Sequence, residues 1–536
     1  MQTRNHQGVV FALALVVVAA VAFASYSGML RYGFTASDTY SLIATGRIAS
    51  FGDVGRVFRE PLMGETAFAA RCLLYRPVSS LSFGLDHAVW GLNPFGYHLT
   101  DLVLHVLVTL LVFLVVHRLT AGRTGPALLA ALLFTIHPVL VETVPAVSRR
   151  QDVLATLFVL LALLLQIEGV RRGSGRWTAA AVVVYVLALG SKEIAAVFPV
   201  IVAIYGAFAL AERPPAWRRG VRLAVPHAVA TVLVFAWRIA LLHRLGGVAP
   251  AHLALRDRLA SSIHTIREFV GDLIYPVSLA PASWERAIIA AAPWLLLGAA
   301  VAAVGVLLAS HRRLREVVAT NRIACCEVFF LLWLPLLLLL FVVTVSFSHR
   351  CMYLAVVPFS AFLALFLADG WRELQRRLAA RPQPPGRRYG IGHAVRLIAY
   401  PVAGVVAVYL IAFSPLLRTY SGWRESAELT DCFFSELAAV LPALPDDAVL
   451  HVAGLPIGLA RGKAEGPLVQ SVTFPADYSI KSWLDLQRPG NHTQVVLENR
   501  RPVSPAARRL HLDTRIGAGA DVYVQVRIEP PEERRD

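Results

Sequence analysis

"YRPVSSLSFGLDHAVWGLNPFGYHLTDLVLHVLVTLLVF", residues 75–113, runs from a polar segment straight into an apolar stretch long enough to cross a bilayer. Arg76, Asp86, Asn93, His98, Asp101 and His105 fall at or just inside that boundary. Ionisable side chains are costly in hydrocarbon unless paired or wetted, so those at the end of a span are candidates for function. The whole chain supports the membrane reading. Of its 536 residues, 57% are hydrophobic and only 16% charged, where a soluble globular protein would carry about a quarter charged residues. The formal charge of +16 fits the basic cytoplasmic loops of a polytopic protein, and no nucleic-acid partner is expected.

Apolar runs of spanning length occur at 8–26, 98–117, 126–147, 152–170, 177–190, 193–211, 222–242, 287–309, 324–346, 352–369 and 393–416. The expected fold class is therefore an all-α polytopic membrane protein of about eleven transmembrane helices, closed by a small C-terminal α/β domain. The first run, with Arg4 before it and Ala-Phe-Ala near its end, also reads as a cleavable signal peptide. With the N-terminus cytoplasmic, the inner loops hold Arg118, Arg123, Arg171, Arg172, Arg176, Arg213, Arg218, Arg219, Arg222, Arg312, Arg313, Arg315 and the basic run from Arg372 to Arg388. Short outer loops hold only Arg149, Arg150, Lys192 and Arg350, an asymmetry that obeys the positive-inside rule. Loops 27–97 and 243–286 and the tail 417–536 then lie outside, with 1–416 as the membrane domain. In the tail, "SAELTDCFFSELAAVL" reads as an amphipathic helix. "AVLHVAG", "LVQSVTF", "TQVVLENR" and "ADVYVQVRI" read as short strands. Cys72 and Cys432 sit in loops, as unpaired thiols or as a disulfide, and "NHT" at 491–493 fits an N-glycosylation acceptor.

Under this topology Asp38, Arg76, Asp86, His98, Glu142, Arg149, Arg150, Asp152, Lys192, Glu193, His349 and Arg350 all gather at the outer boundary. One shared site would produce that one-sidedness. "SRRQD", "GSKEIA" and "SHRCMYL" each place a cation in an outer turn, and guanidinium forks suit phosphate oxygens. The plainer reading is snorkelling to lipid headgroups. His98, Asp101 and His105 share one helical face, as interhelical hydrogen-bonding groups or as a weak metal pattern without a fourth ligand. Asp38, in "RYGFTASDTYSLIATG", reads either as a helix cap or as an acid whose partly apolar setting raises its pKa toward a general base.

In order and in membrane position, "YRPVSSLSFGLDHAVWGLNPFGYHLTDLVLH", "HPVLVETV…SRRQD", "GSKEIA", "HRCMYL" and "RTYSGWRESAEL" resemble the TMTC-type membrane proteins. These are the transmembrane and tetratricopeptide-containing O-mannosyltransferases and their bacterial relatives, within the GT-C class of glycosyltransferases. The resemblance covers roughly residues 8–425. It implies a multi-pass enzyme of a bacterial cytoplasmic membrane, N-terminus inside and C-terminal domain outside. Such an enzyme moves a hexose such as mannose, with inversion, from a polyprenyl-phosphate donor to a protein or glycan acceptor, among membrane lipids. No metal and no soluble cofactor is implied. The same resemblance casts Asp38 as the base, and Arg76, Arg150, Lys192 and Arg350 as the grip on the donor phosphate. Asp86, His98, Glu142, Asp152 and Glu193 become supporting groups. Departures are Ser37 where the family shows a first acid, His349 for a Glu, Arg149 for a small residue, Ala146 for an aromatic, and a β-containing tail in place of helical repeats. Ser37 keeps open a catalytically impaired scaffold, and intramembrane charge keeps open a lipid-linked sugar flippase.

Overall fold

In the computed structural model, residues 2–35, 37–64, 66, 68, 73–209, 217–243, 255–274, 322–344, 347–379, 391–418, 422–457, 474–501, 510–516 and 520–528 are described. The chain is mainly helical. Helix α1 (Gln2–Tyr26) leads into an outer segment with short α2 (Thr39–Gly46) and α3 (Phe51–Val57), then α4 (Pro77–Trp90) and α5 (Pro94–Leu119). Next come α6 (Thr124–Thr135), α7 (Arg150–Arg172), α8 (Gly175–Ser191), α9 (Phe198–Ile204), α10 (Trp217–Leu242) and α11 (Leu255–Ile274). After these follow α12 (Arg322–Thr344), α13 (Tyr353–Ala379) and α14 (Ile391–Ala412). Among the described residues, six helical segments are long and apolar enough to cross a membrane, and four more are shorter and apolar. The architecture is that of a multi-pass membrane protein. The expected span at 287–309 lies outside the described residues.

Two expected spans are broken near one end, and proline is the reason. The run 126–147 is helical only to Thr135, then continues as tight turns at Pro138–Glu142 and Val147–Arg149. Pro138 and Pro145 have no N–H to donate and fix φ, so the α-helical ladder cannot continue through them. The run 193–211 opens likewise as a tight turn before α9, with Pro199 in its first turn. These broken ends carry Glu142, Arg149 and Glu193.

The polar-to-apolar switch at 75–113 becomes two helices. Pro77 opens α4 and Gly91 ends it; the Asn93 side chain then caps α5, accepting from Phe95 N–H at 3.2 Å, with Pro94 in the first turn. Residues 77–90 pack against α2. A Cβ on Gly84 would lie 2.3 Å from the Gly46 carbonyl oxygen, so this contact is backbone to backbone.

The tail contains α15 (Trp423–Val440), β1 (Val449–Ala453), α16 (Asp477–Gln487), β2 (Gln494–Glu498), β3 (Leu510–Ile516) and β4 (Asp521–Ile528). The sheet order is β2-β1-β4-β3, with β1 parallel to both neighbours and β3 antiparallel to β4. Val522, Val524 and Val526 of β4 point inward on alternate residues. "LVQSVTF" falls mostly outside the described residues, whereas α16 and β3 were not expected from sequence. Cys432 is a free thiol, and Cys72 lies outside the described residues. The Asn491 amide is largely buried and donates to Asp485 and to the Arg488 carbonyl, so it is not presented for glycosylation.

Among the described residues there are two apolar cores. One lies among the membrane helices; the other joins Phe34, Tyr40, Leu42 and Ile43 of the segment after α1 to Leu429, Phe433, Phe434 and Trp483 of the tail. Tyr40 and Phe434 rings are 4.7 Å apart, and Phe434 and Trp483 rings 5.0 Å. The Trp423 indole donates to the Val141 carbonyl at 2.7 Å, a second anchor between tail and membrane helices. Truncating Phe434 to Ala removes the ring common to both contacts and should cost about 3–5 kcal/mol. Thermal unfolding and limited proteolysis of the full-length protein in detergent would check this; release of the tail at lower temperature is the expected result.

Candidate active site

Asp38 stands at the N-terminal end of α2, where its backbone carbonyl accepts from Leu42 N–H at 2.9 Å. The cap reading is therefore correct for the backbone, while the side chain makes no capping bond. Its carboxylate is engaged elsewhere. Oδ1 accepts from Tyr478 Oη at 2.7 Å and from Ser37 Oγ at 3.0 Å, and Oδ2 lies 3.4 Å from Arg149 Nη1. Burial by itself would raise the carboxyl pKa. Arg149, the Tyr478 hydrogen bond, Arg350 and Ser37 outweigh that and hold it below its ordinary value. The raised value expected from an apolar pocket is thus reversed, because the pocket supplies cations and hydroxyl donors.

Arg149 is 3% exposed, and its Nε has no hydrogen-bond partner among the described residues. Arg350 adds a second positive charge, felt at Asp38. The Arg350 carbonyl is fixed by Thr143 Oγ1 at 2.9 Å, which ties its turn to the broken end after α6.

The other expected cations have carboxylate partners. Arg150, expected at the donor phosphate, is enclosed: its guanidinium meets Asp101 at 2.5 Å and Asp86 at 2.6 Å, and donates to the carbonyls of Tyr97 and Ser82. Phe83 packs across its face with 4.7 Å from Cζ to ring centroid. Nε, Nη1 and Nη2 are thus all engaged by groups of the protein, on a guanidinium that is fully buried. Arg76 donates through Nη2 and Nε to one Glu193 oxygen, Oε2, at 2.8 and 3.1 Å, and Arg238 Nη1 donates to the other, Oε1, at 2.9 Å. Lys192 Nζ lies 2.5 and 2.7 Å from the two Asp152 oxygens.

The face 98–101–105 does not form a ligand set. His98 Nε2 is 3.1 Å from the Gly33 carbonyl oxygen, Asp101 serves Arg150, and His105 bonds Tyr353 and Thr135 at 2.7 and 2.9 Å. These are the contacts of the hydrogen-bonding reading. Among the described residues, one group brings potential metal ligands together: Glu268, Asp272 and His349, with ligand atoms within 4.8 Å of one another. His349 Nδ1 is 2.6 Å from Asp272 Oδ2, so the trio holds an internal ion pair. Glu142 is fully buried and acts electrostatically on His349 and Asp272.

Sequence reasoning gave no role to Tyr478 at the centre, and to Arg149 only a share with Arg150 in a turn suited to an anion. Arg149 was visible as one of two adjacent arginines, and the tight turn decides which faces Asp38. Nothing in the sequence links Tyr478 to a residue 440 positions earlier.

Comparison with known proteins agrees with the resemblance. Residues 77–243 match the family described as dolichyl-phosphate-mannose-protein mannosyltransferase. This segment is similar to the protein O-mannosyltransferases. Over 150 residues the chain is 33% identical to the protein O-mannosyl-transferase Tmtc1 of Drosophila melanogaster, an alignment covering 27% of this chain and 17% of that one. It is 44% identical over 94 residues to TMTC2 of Homo sapiens, covering 18% and 11%. The chain thus spans less than a fifth of the length of these curated relatives. The apo oligosaccharyltransferase of Archaeoglobus fulgidus aligns over 92% of this chain and 64% of that one, with a TM-score of 0.44 and 11% identity. Two arginines of the matched segment, Arg150 and Arg118, should differ sharply, because the first is fully buried between two acids and the second is partly exposed. Arg150→Ala leaves two buried acids unpaired and should destabilise the fold by about 3–5 kcal/mol. Arg118→Ala, which disturbs one partly exposed pair with Glu168, should cost about 1 kcal/mol or less in the same thermal-shift measurement.

Proposed function

We propose that this protein is a membrane glycosyltransferase that moves a hexose, mannose by the wording of its relatives, from a polyprenyl-phosphate sugar to a hydroxyl on the outer face. The supporting observation is the pairing of Asp38 with a buried Arg149 whose Nε lacks a partner among the described residues, with Arg350 close by. A buried unsatisfied guanidinium N–H is costly, and an anionic oxygen is its natural complement.

In this reading Asp38 receives the acceptor proton while the hydroxyl oxygen attacks the anomeric carbon. The bond from that carbon to the phosphate oxygen breaks, the electron pair leaves on the polyprenyl phosphate, and the configuration inverts. Arg149 and Arg350 stabilise the charge that grows on the leaving phosphate. Arg76, Lys192 and Arg150, each balanced by carboxylates, act as the frame of the site together with Asp86, Asp152 and Glu193. Residues 1–416 would form the catalytic membrane domain, with a cytoplasmic N-terminus, and 417–536 an extracytoplasmic domain.

Asp38→Asn should reduce transfer from a radiolabelled polyprenyl-phosphate hexose by about 10²–10⁴-fold with folding intact. Arg149→Ala should weaken donor binding by about ten- to a hundredfold, the worth of a charge-assisted hydrogen bond. An active Asp38→Asn protein refutes the base. Binding without transfer by the unaltered protein would favour the scaffold that Ser37 keeps open, and donor translocation without bond cleavage the flippase.

The pH dependence follows from the groups around Asp38. Its proton affinity is depressed, so its pairing is intact above the ordinary aspartate range and is lost only as pH falls through a still lower value. The Tyr478 hydrogen bond is one source of that depression, so Tyr478→Phe should move the acid limb of the pH–rate profile upward. A loss of stability alone would leave the limb in place.

A further inference from the structure

Between α2, which follows Asp38, and α16 of the tail lies a cleft of about 630 Å³ lined by residues that include Thr45, Tyr478, Lys481, Asp485, Asn491 and Val495. The two helices are clamped on one side, with Ser41 Oγ 2.9 Å from Ser482 Oγ and 3.2 Å from the Tyr478 carbonyl oxygen. At its inner end is Tyr478, bonded to Asp38. Seven helical residues separate Tyr478 from Asp485, a rise of about 10 Å. Beyond them the lining passes to the first residues of β2.

Among the described residues, strand β2 is an edge of the sheet. Gln494 N–H donates to the Ala448 carbonyl at 2.8 Å, and the Glu498 carbonyl accepts from Gly454 N–H at 3.0 Å. In a parallel ladder the N–H and C=O of one residue face the same neighbour, and those of the next face the other way. The even-numbered residues of β2 therefore serve β1, while Val495 and Leu497 turn theirs to the open edge. Among the described residues no bond reaches those outward groups. An open edge is a template for another extended chain.

We propose that this cleft is the acceptor site, and that its occupant is an extended polypeptide that pairs along the open edge of β2. A Ser or Thr of that polypeptide, about three residues from the paired segment at about 3.3 Å per residue, reaches Tyr478 and Asp38. Tyr478 is then a positioning residue, which fixes the Asp38 carboxylate and closes the inner end of the cleft. A polypeptide is favoured over a glycan because the outward groups of Val495 and Leu497 offer alternating donors and acceptors at the two-residue repeat of a peptide backbone. The naming of the cleft as an acceptor site rests on the transferase reading above; the binding of a peptide there does not.

The test uses the full-length protein in lipid nanodiscs and a fluorescent, uncharged peptide of about ten residues rich in Ser, Thr and Val. Val495→Pro deletes an N–H that the sheet does not use, at an edge position where proline is tolerated, and Val495→Ala keeps it. Val495→Pro should weaken peptide binding measured without donor, and raise the acceptor KM, by about tenfold each. Val495→Ala should match the unaltered protein. A photoreactive version of the peptide should label residues 477–495. Equal peptide affinity in both variants, labelling elsewhere, or displacement by an oligosaccharide in place of binding by the peptide overturns the proposal. Asp38→Asn separates the two readings: peptide binding should survive while transfer is lost. A protein that binds peptide in the cleft yet transfers nothing, even unaltered, refutes the transferase and leaves the cleft assignment standing.

Discussion

The site depends on one carboxylate held from two directions. Asp38 meets Arg149 from the membrane helices and Tyr478 from the tail, so it joins parts of the chain that are remote in sequence. Neither contact would persist without the apolar packing beneath it. Phe34, Tyr40, Leu42 and Ile43 around Asp38 share a core with Phe433, Phe434 and Trp483 of the tail, and that burial fixes α2 against α16. Fully burying side chains of this size contributes about 1.5–3 kcal/mol each, more than a single partly solvated hydrogen bond contributes. Hydrophobic contact therefore sets the distance, and the hydrogen bond reports it. The tail is in this sense part of the site's architecture.

The charges around the site sort into two kinds. Arg150 with Asp86 and Asp101, Arg76 and Arg238 with Glu193, and Lys192 with Asp152 are mutually neutralising sets, mostly buried. Such sets carry a desolvation cost and give little net stability, but each fixes a pair of elements in one arrangement, since slippage would strand an ion in a dry interior. Arg150 alone connects the start of α7 to α4 and α5. Against this frame, Asp38, Arg149 and Arg350 stand out. Two arginines act on one carboxylate, and the local balance of the three is positive, which suits an anion.

The sequence declared the membrane architecture because spans leave a direct compositional trace: about twenty apolar residues with basic residues at one set of ends. It also declared where the polar residues would collect, since all of Asp38, Arg149, Arg150, Lys192 and Arg350 lie at span ends. Their partners were less legible. Adjacent arginines 149 and 150 are equivalent on paper, and only the tight turn at Val147–Arg149 followed by the start of α7 sends one toward Asp38 and the other between Asp86 and Asp101. In the tail, "AVLHVAG" and "ADVYVQVRI" alternate clearly and became β1 and β4. "LHLDTRI" and "DYSIKSWLDLQ" hold too few apolar residues to stand out, and tertiary pairing with β4 and α2 makes them β3 and α16. Tyr478 belongs to the second group, which is why one of the three side-chain contacts to Asp38 was invisible.

A depressed proton affinity looks like a poor qualification for a base, and the argument turns on what the depression consists of. Burial pushes the Asp38 carboxyl up, and it is low only because Arg149, Tyr478, Arg350 and Ser37 act against that burial. In the proposed reaction, a donor phosphate that pairs with Arg149 and Arg350 removes the two cationic contributions and sets a negative charge nearby. A unit charge about 5 Å away at an effective dielectric near 20 is worth about 3 kcal/mol, or about two orders of magnitude in proton affinity. The same arginines that keep Asp38 ionised in the empty site would thus release it toward basicity once they are occupied. Asp38 would then accept a proton only when a sugar donor is in place, and the charge that departs on the phosphate would be the one its arginines already hold.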